Sequence, residues 1–279
     1  MIRLLVGTVA LAFVALTTPT IAAKAPPVVT PPIYNWTGCY LGGNVGWTSA
    51  HTSGILAIYN GFLLGEPPSS FWLGAGNTPS FIGGGQVGCN YQSGQFVFGI
   101  EGDADWRRLS RTGYLLPGVV ASSNGEFGNF SLTSNWQASL RGRLGYAVDR
   151  TLWYATGGIA WTRLSFRGNL SIFNDDDGDI GTYNIAPVSK TPVGWTLGGG
   201  VEYAVREDVT IGLEGRYNRY GSQHFNTLAV PDPAPIFPAT GDLNVNSSEI
   251  IGKVNFRFNS NSQSTEPPQM RTPPMRTNR

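Results

Sequence analysis

Ile250-Ile251-Gly252-Lys253-Val254-Asn255-Phe256-Arg257-Phe258 is the stretch that decides the fold. A β-strand sends successive side chains to opposite faces, so Ile250, Gly252, Val254, Phe256 and Phe258 share one face while Lys253, Asn255 and Arg257 share the other. An oily face backed by charges suits a strand standing between lipid and a polar lumen. Seven further segments alternate in the same way, at about 36–47, 81–92, 95–106, 136–146, 151–166, 194–205 and 209–217. The clearest sets Trp136, Ala138, Leu140, Gly142, Leu144 and Tyr146 against Gln137, Ser139, Arg141, Arg143 and Gly145. In the segment at 151–166 apolar residues fall on both sides, and its faces stay unassigned.

The connections alternate as regularly as the segments. Tight turns at Ser93-Gly94, Asp149-Arg150 and Glu207-Asp208 are interleaved with long stretches at about 48–80, 107–135, 167–193 and 218–249. Short turns on one side and long loops on the other form the outer-membrane arrangement, whereas a soluble β-sandwich does not sort its loops this way. The expected fold is therefore all-β, an eight-stranded antiparallel up-and-down transmembrane β-barrel over 35–258. An even strand count places both chain ends in the periplasm.

Composition agrees. Only 13% of the 279 residues are charged, glycine is abundant at 37, and aromatics reach 12%, mostly inside or at the ends of the alternating segments. This is not the profile of a soluble α/β enzyme. The net charge of +1 leaves no footprint for nucleic acid. Residues 1–23 read as a secretory signal, with Arg3 ahead of an apolar run and small residues at Ala22 and Ala23; that run is short of the roughly 20 residues of a spanning helix. Residues 24–34 are a Pro-rich periplasmic linker. The stretch 259–279, with Pro267-Pro268, Pro273-Pro274 and hardly an apolar residue, is expected to be a disordered periplasmic tail.

Several strings carry a family likeness: Asn35-Trp36-Thr37-Gly38-Cys39-Tyr40-Leu41-Gly42-Gly43-Asn44-Val45-Gly46, Gly83-Gly84-Gly85-Gln86-Val87-Gly88, Leu140-Arg141-Gly142-Arg143-Leu144-Gly145-Tyr146, Tyr154-Ala155-Thr156-Gly157-Gly158, and Gly194-Trp195-Thr196-Leu197-Gly198-Gly199-Gly200-Val201-Glu202-Tyr203. In this order they resemble the small outer-membrane β-barrel proteins of alphaproteobacteria, a porin-like surface-antigen group akin to the barrel of outer-membrane protein A. The resemblance covers about 34–258. It implies an eight-stranded barrel in the cell outer membrane, with members described as surface antigens, envelope-integrity proteins or hemin binders. Two departures stand out: members tend to carry aromatics where Cys39 and Cys89 stand, and they usually end on the terminal aromatic.

The inward series places Glu101, Asp103, Glu202 and Glu214 against Arg141, Arg143, Arg216, Lys253 and Arg257. An eight-stranded barrel is just wide enough for side chains to fill it, which favours a structural plug over an ion path. Catalysis has little footing: the chain has two histidines, and it shows no Gly-x-Ser-x-Gly elbow, zinc-ligand spacing or phosphate loop. Neither an enzyme nor a cofactor is expected. The acidic run Asn174–Asp179 fails the EF-hand pattern, since Ile180 stands where glycine is required, and reads as a solvated loop tip. An apolar hairpin at 54–65, turning at Asn60-Gly61, is read either as a patch for a partner or as a segment folded on the rim or into headgroups. His51 and His224 are the ligands should hemin bind. Cys39 and Cys89 sit on the lipid-facing series at the periplasmic ends of adjacent strands, within disulfide reach if the register sets them opposite; a one-residue slip would part them. Phe256 and Phe258 form the C-terminal aromatic signal for the barrel assembly machinery. The function expected is a surface protein with an envelope-structural role and adhesion through its loops. The alternatives are a narrow channel and a hemin- or ligand-binding receptor. Its partners would be outer-membrane lipid, the assembly machinery and a host or surface ligand.

Overall fold

The computed structural model describes residues 34–59, 68–117, 126–173, 180–231 and 236–258. The expected signal, nearly all of the expected linker, the expected turn at Asn60-Gly61, the acidic run at 174–179 and the expected tail lie outside them. The described residues form eleven strands: β1 Gly38–Ile58, β2 Ser69–Trp72, β3 Gly76–Ser93, β4 Phe96–Pro117, β5 Glu126–Val148, β6 Thr151–Thr162, β7 Leu164–Phe173, β8 Ile180–Lys190, β9 Val193–Ala204, β10 Val209–Pro231 and β11 Phe237–Phe258.

All pairings are antiparallel, and β1 closes the ring against β11 from Cys39↔Phe258 to Ile58↔Ala239. Near the chain ends the ring runs β1-β3-β4-β5-β6-β9-β10-β11; further up, β2 replaces β3, and β7 and β8 replace β6 and β9. Eleven strands thus stand where eight continuous ones were expected, although each level of the ring holds eight. Three staves are broken part-way. One break contains Gly74 at φ 60° and another contains Pro192, which has no N–H for the ladder.

The larger difference is length. β4, β5, β10 and β11 each run 22 or 23 residues, so most of the stretches expected to be long loops are strand. The reason lies in a change of phase. β4 has two residues against one on β5 between Trp106 and Leu109, and β10 is bulged against β11 between Arg219 and Ser222. On β5 the inward residues are Gln137, Ser139 and Arg141 below the bulge, but Ser134, Leu132 and Phe130 above it. On β4 and β11 the inward series stays odd-numbered throughout, so the apolar residues pass from the outward to the inward set and a window spanning both halves has no single period.

Two environments meet at that level. Below it the outer face is a continuous apolar band that includes Leu41, Val45, Val87, Ile100, Leu140, Leu144, Leu197 and Leu213, all exposed. Exposed aromatics rim it: Tyr91, Phe96, Tyr146, Trp153, Tyr203 and Phe256 at the turn end, and Trp47, Phe81, Trp106, Trp195 and Tyr217 at the other. Ring centroids are 5.7 Å apart for Phe96–Tyr146 and 5.6 Å for Trp195–Tyr217. Ten residues separate Phe96 from Trp106 along β4, about 25 Å of height at the usual rise and tilt, which is the thickness of an outer-membrane apolar band. Such a surface is solvated by lipid, not water.

Above the band the outer wall turns polar, with His51, Asn77, Ser110, Thr112, Asn129 and Asn244 exposed. The interior turns apolar: Leu56, Phe71, Leu115, Phe130, Leu132, Leu164, Phe166, Leu170, Ile185, Phe225 and Leu243 share one core. The upper half is built like a water-soluble barrel and the lower half is its inverse. Ile55–Ile58, half of the expected apolar hairpin, therefore belongs to β1, with Leu56 and Ile58 in this core.

Candidate functional site

Side chains fill the lumen in three layers. At the turn end Tyr34, Trp36, Val97, Ala147, Leu152, Tyr154 and Ala204 form an apolar cap. Leu152 and Tyr154 are on β6, whose inward face is now settled as Leu152, Tyr154, Thr156, Ala160 and Thr162, with Trp153 and Ile159 outward. This strand resisted assignment because its inward face is itself partly apolar.

The middle layer is ionic. Arg141 lies opposite Glu101 in the β4–β5 register and donates to Glu101 Oε1 at 2.5 Å, Asp103 Oδ1 at 2.8 Å and Glu214 Oε1 at 2.5 Å. Lys253 donates to Glu101 at 2.7 Å and to Glu214 at 2.9 Å. Arg143 pairs with Glu202 at 2.6 Å, and its guanidinium carbon lies 3.8 Å from the centroid of the Tyr154 ring. Arg216 bonds Asp103 and Glu214, both at 3.2 Å. Neutral groups complete the shell: Tyr40 donates to Glu101 at 2.7 Å, Tyr154 to Glu214 at 2.9 Å and Ser139 to Asp103 at 2.6 Å. All of these side chains are buried, so each charge depends on its partners rather than on water. The two tyrosines lie where β3 and β9 carry glycine. A Cβ at Gly88 would run into Tyr40 Oη, and one at Gly200 into the Leu213 carbonyl and the Tyr154 ring.

Two acids of this layer escaped the sequence reading. Asp105 accepts from Asn44 at 2.8 Å and Glu249 from Gln137 at 3.1 Å, and both lie 3.6 Å from Arg216. Asp105 already lay in the segment 95–106 on the inward series of Glu101 and Asp103, and alternation back from Lys253 reaches Glu249 one residue before the last segment begins. Arg257, expected in the network, is elsewhere. It bonds the Tyr34 hydroxyl and donates to the carbonyls of Asn35 and Thr37 at 2.8 Å, tying the entering chain to the last strand.

Outside the lumen, Cys39 is opposite Cys89 in the β1–β3 register and the two are joined by a disulfide. Both face lipid at the turn end, as do Phe256 and Phe258. We expect protein taken from membranes and unfolded without reductant to show no titratable thiol. Changing both cysteines to serine should cost about 2–4 kcal/mol of stability at most, because the β1–β3 ladder remains.

The histidines are on strands, not in loops. His51 on β1 bonds Asn77 at 2.9 Å, and His224 on β10 pairs with Asp242. Their register partners on β11, Asn246 and Asp242, are four residues apart, so the two rings are not brought together as a ligand pair. Among the described residues no group of three or more His, Cys, Asp or Glu is placed to hold a metal.

A family model described as "Outer membrane protein beta-barrel domain" matches residues 8–258. The chain belongs to this outer-membrane β-barrel family. It is 29% identical over 236 residues to a 31 kDa outer-membrane immunogenic protein of Brucella melitensis, covering 84% of each chain. It is 30% identical over 197 residues to a 22 kDa outer membrane protein of Rhizobium leguminosarum bv. viciae, covering 70% of this chain and 69% of that one. Among solved structures, the outer membrane protease OmpT from Escherichia coli aligns at a TM-score of 0.41 and 10% identity, covering 78% of this chain and 97% of that one. The lipid band, the closed ring and the family place this barrel in the outer membrane.

Proposed function

We propose that the protein is a closed, non-conducting outer-membrane barrel with an envelope-structural role, displaying its extended upper wall at the cell surface. The observation carrying this reading is the layered lumen, where an apolar cap, an ionic layer and an apolar core stack along the bore. Surface display is supported by relatives named as outer-membrane immunogenic proteins. We read it as non-enzymatic, because the lumen acids are buried and occupied by ion pairs with Arg141, Arg143, Arg216 and Lys253. Contact with a partner surface is a second reading. It rests on an exposed apolar patch near the rim, where Ile55 lies opposite Trp72 and Trp72 opposite Leu116.

Refolded full-length protein in planar bilayers is expected to give no reproducible single-channel steps. Large, uniform steps would sink the closed-barrel reading and return the narrow channel.

A further inference from the structure

Three cations stand on the outer wall just above the upper aromatic rim, each two residues beyond an outward-facing aromatic on an upward-running stave. They are Arg108 after Trp106 on β4, Arg163 after Trp161 at the end of β6, and Arg219 after Tyr217 on β10. All three are exposed, and no described carboxylate pairs with them. The acids at membrane depth point into the lumen. Among the described side chains, the outer wall above the rim carries one acid, Asp242, which is paired with His224.

Arg108 also lies in a cleft. β3 and β4 stop pairing at Ile82↔Arg107, while β4 bulges against β5 at the same height. The opening has a volume of about 1090 Å³ and is lined by Phe81, Trp106, Arg108 and Asn135, among others. The Arg163 backbone N–H donates to the Trp136 carbonyl at 3.3 Å, which puts Arg163 on the other flank of β5. Arg108 and Arg163 are thus one stave apart on either side, about 10 Å between Cα atoms at normal strand spacing. That suits two guanidiniums converging on one phosphorylated headgroup, with planar forks matched to phosphate oxygens. Phe81 and Trp106 offer the apolar lower wall on which acyl chains would lie.

We propose that this cleft, with Arg108 and Arg163, binds the phosphate of a phosphorylated glycolipid in the outer leaflet, and that Arg219 provides a further contact around the same belt. Its depth and sideways opening favour a lipid-borne phosphate over a free anion: it opens at headgroup height toward the lipid, and the cations crown the aromatic rim.

Full-length protein in mild detergent, titrated with lipid A carrying both phosphates and with the same lipid dephosphorylated, tests this by native mass spectrometry. The phosphorylated form should be retained at least about tenfold better, and the Arg108→Gln/Arg163→Gln variant should lose that preference. Equal retention of the two lipids by the unmodified protein overturns the proposal, and this arm decides even if the variant fails to assemble. An assembled variant that keeps the preference also overturns it. Competition by millimolar inorganic phosphate as effective as that of the lipid would overturn the lipid assignment, because the site would then be one for free anions.

Discussion

Arg141→Ala is expected to destabilise the barrel by about 3–5 kcal/mol. The Arg141 side chain is fully buried and bonds three carboxylates from two staves, Glu101 and Asp103 on β4 and Glu214 on β10. Its removal strands those charges at membrane depth. Lys253 still reaches Glu101 and Glu214, and Arg216 still reaches Asp103, so the network is weakened at its hub rather than erased. Urea unfolding of protein refolded in lipid, followed by tryptophan fluorescence, measures the loss. The control is Arg206→Ala, since the Arg206–Asp208 pair is largely solvated and should be worth under about 1 kcal/mol. A loss at Arg141 no larger than this control would mean that water, not protein, balances the lumen charges.

Phe225→Ala should cost about 3–5 kcal/mol, and the damage should stay in the upper barrel. Phe225 is in the apolar core, its ring centroid 5.2 Å from that of Phe166, and it packs where β11 carries Gly241 rather than a side chain. The staves are weakest beside it. β8 and β10 pair only through Ala229↔Ile185 to Pro231↔Tyr183, and on that flank β10 next meets a partner at Arg219↔Trp195, while its other flank stays paired with β11. Hydrogen exchange should therefore rise in β7, β8 and the upper part of β10 while β4 and β5 at lipid depth keep their protection. Uniform loss of protection would show that the two halves unfold as one unit.

The chain's alternation was sufficient for the class of fold, the outward set of the lipid-depth strands other than β6, the three tight turns and the inward placement of Glu101, Asp103, Arg141, Arg143, Glu202, Glu214, Arg216 and Lys253. These are local consequences of a period of two between lipid and lumen, so a single strand reveals them. What only the tertiary structure decided begins where the solvent outside changes from lipid to water. There the inward series becomes apolar, bulges shift the phase on β5 and β10, and a stretch that reads as loop is strand. Register also lay beyond the chain's own pattern. Alternation identifies a residue's face but not its neighbour on the next stave, and that neighbour separates Arg257 at the entering chain from Arg141 at the hub, sets Cys39 opposite Cys89, and gives His51 and His224 separate partners.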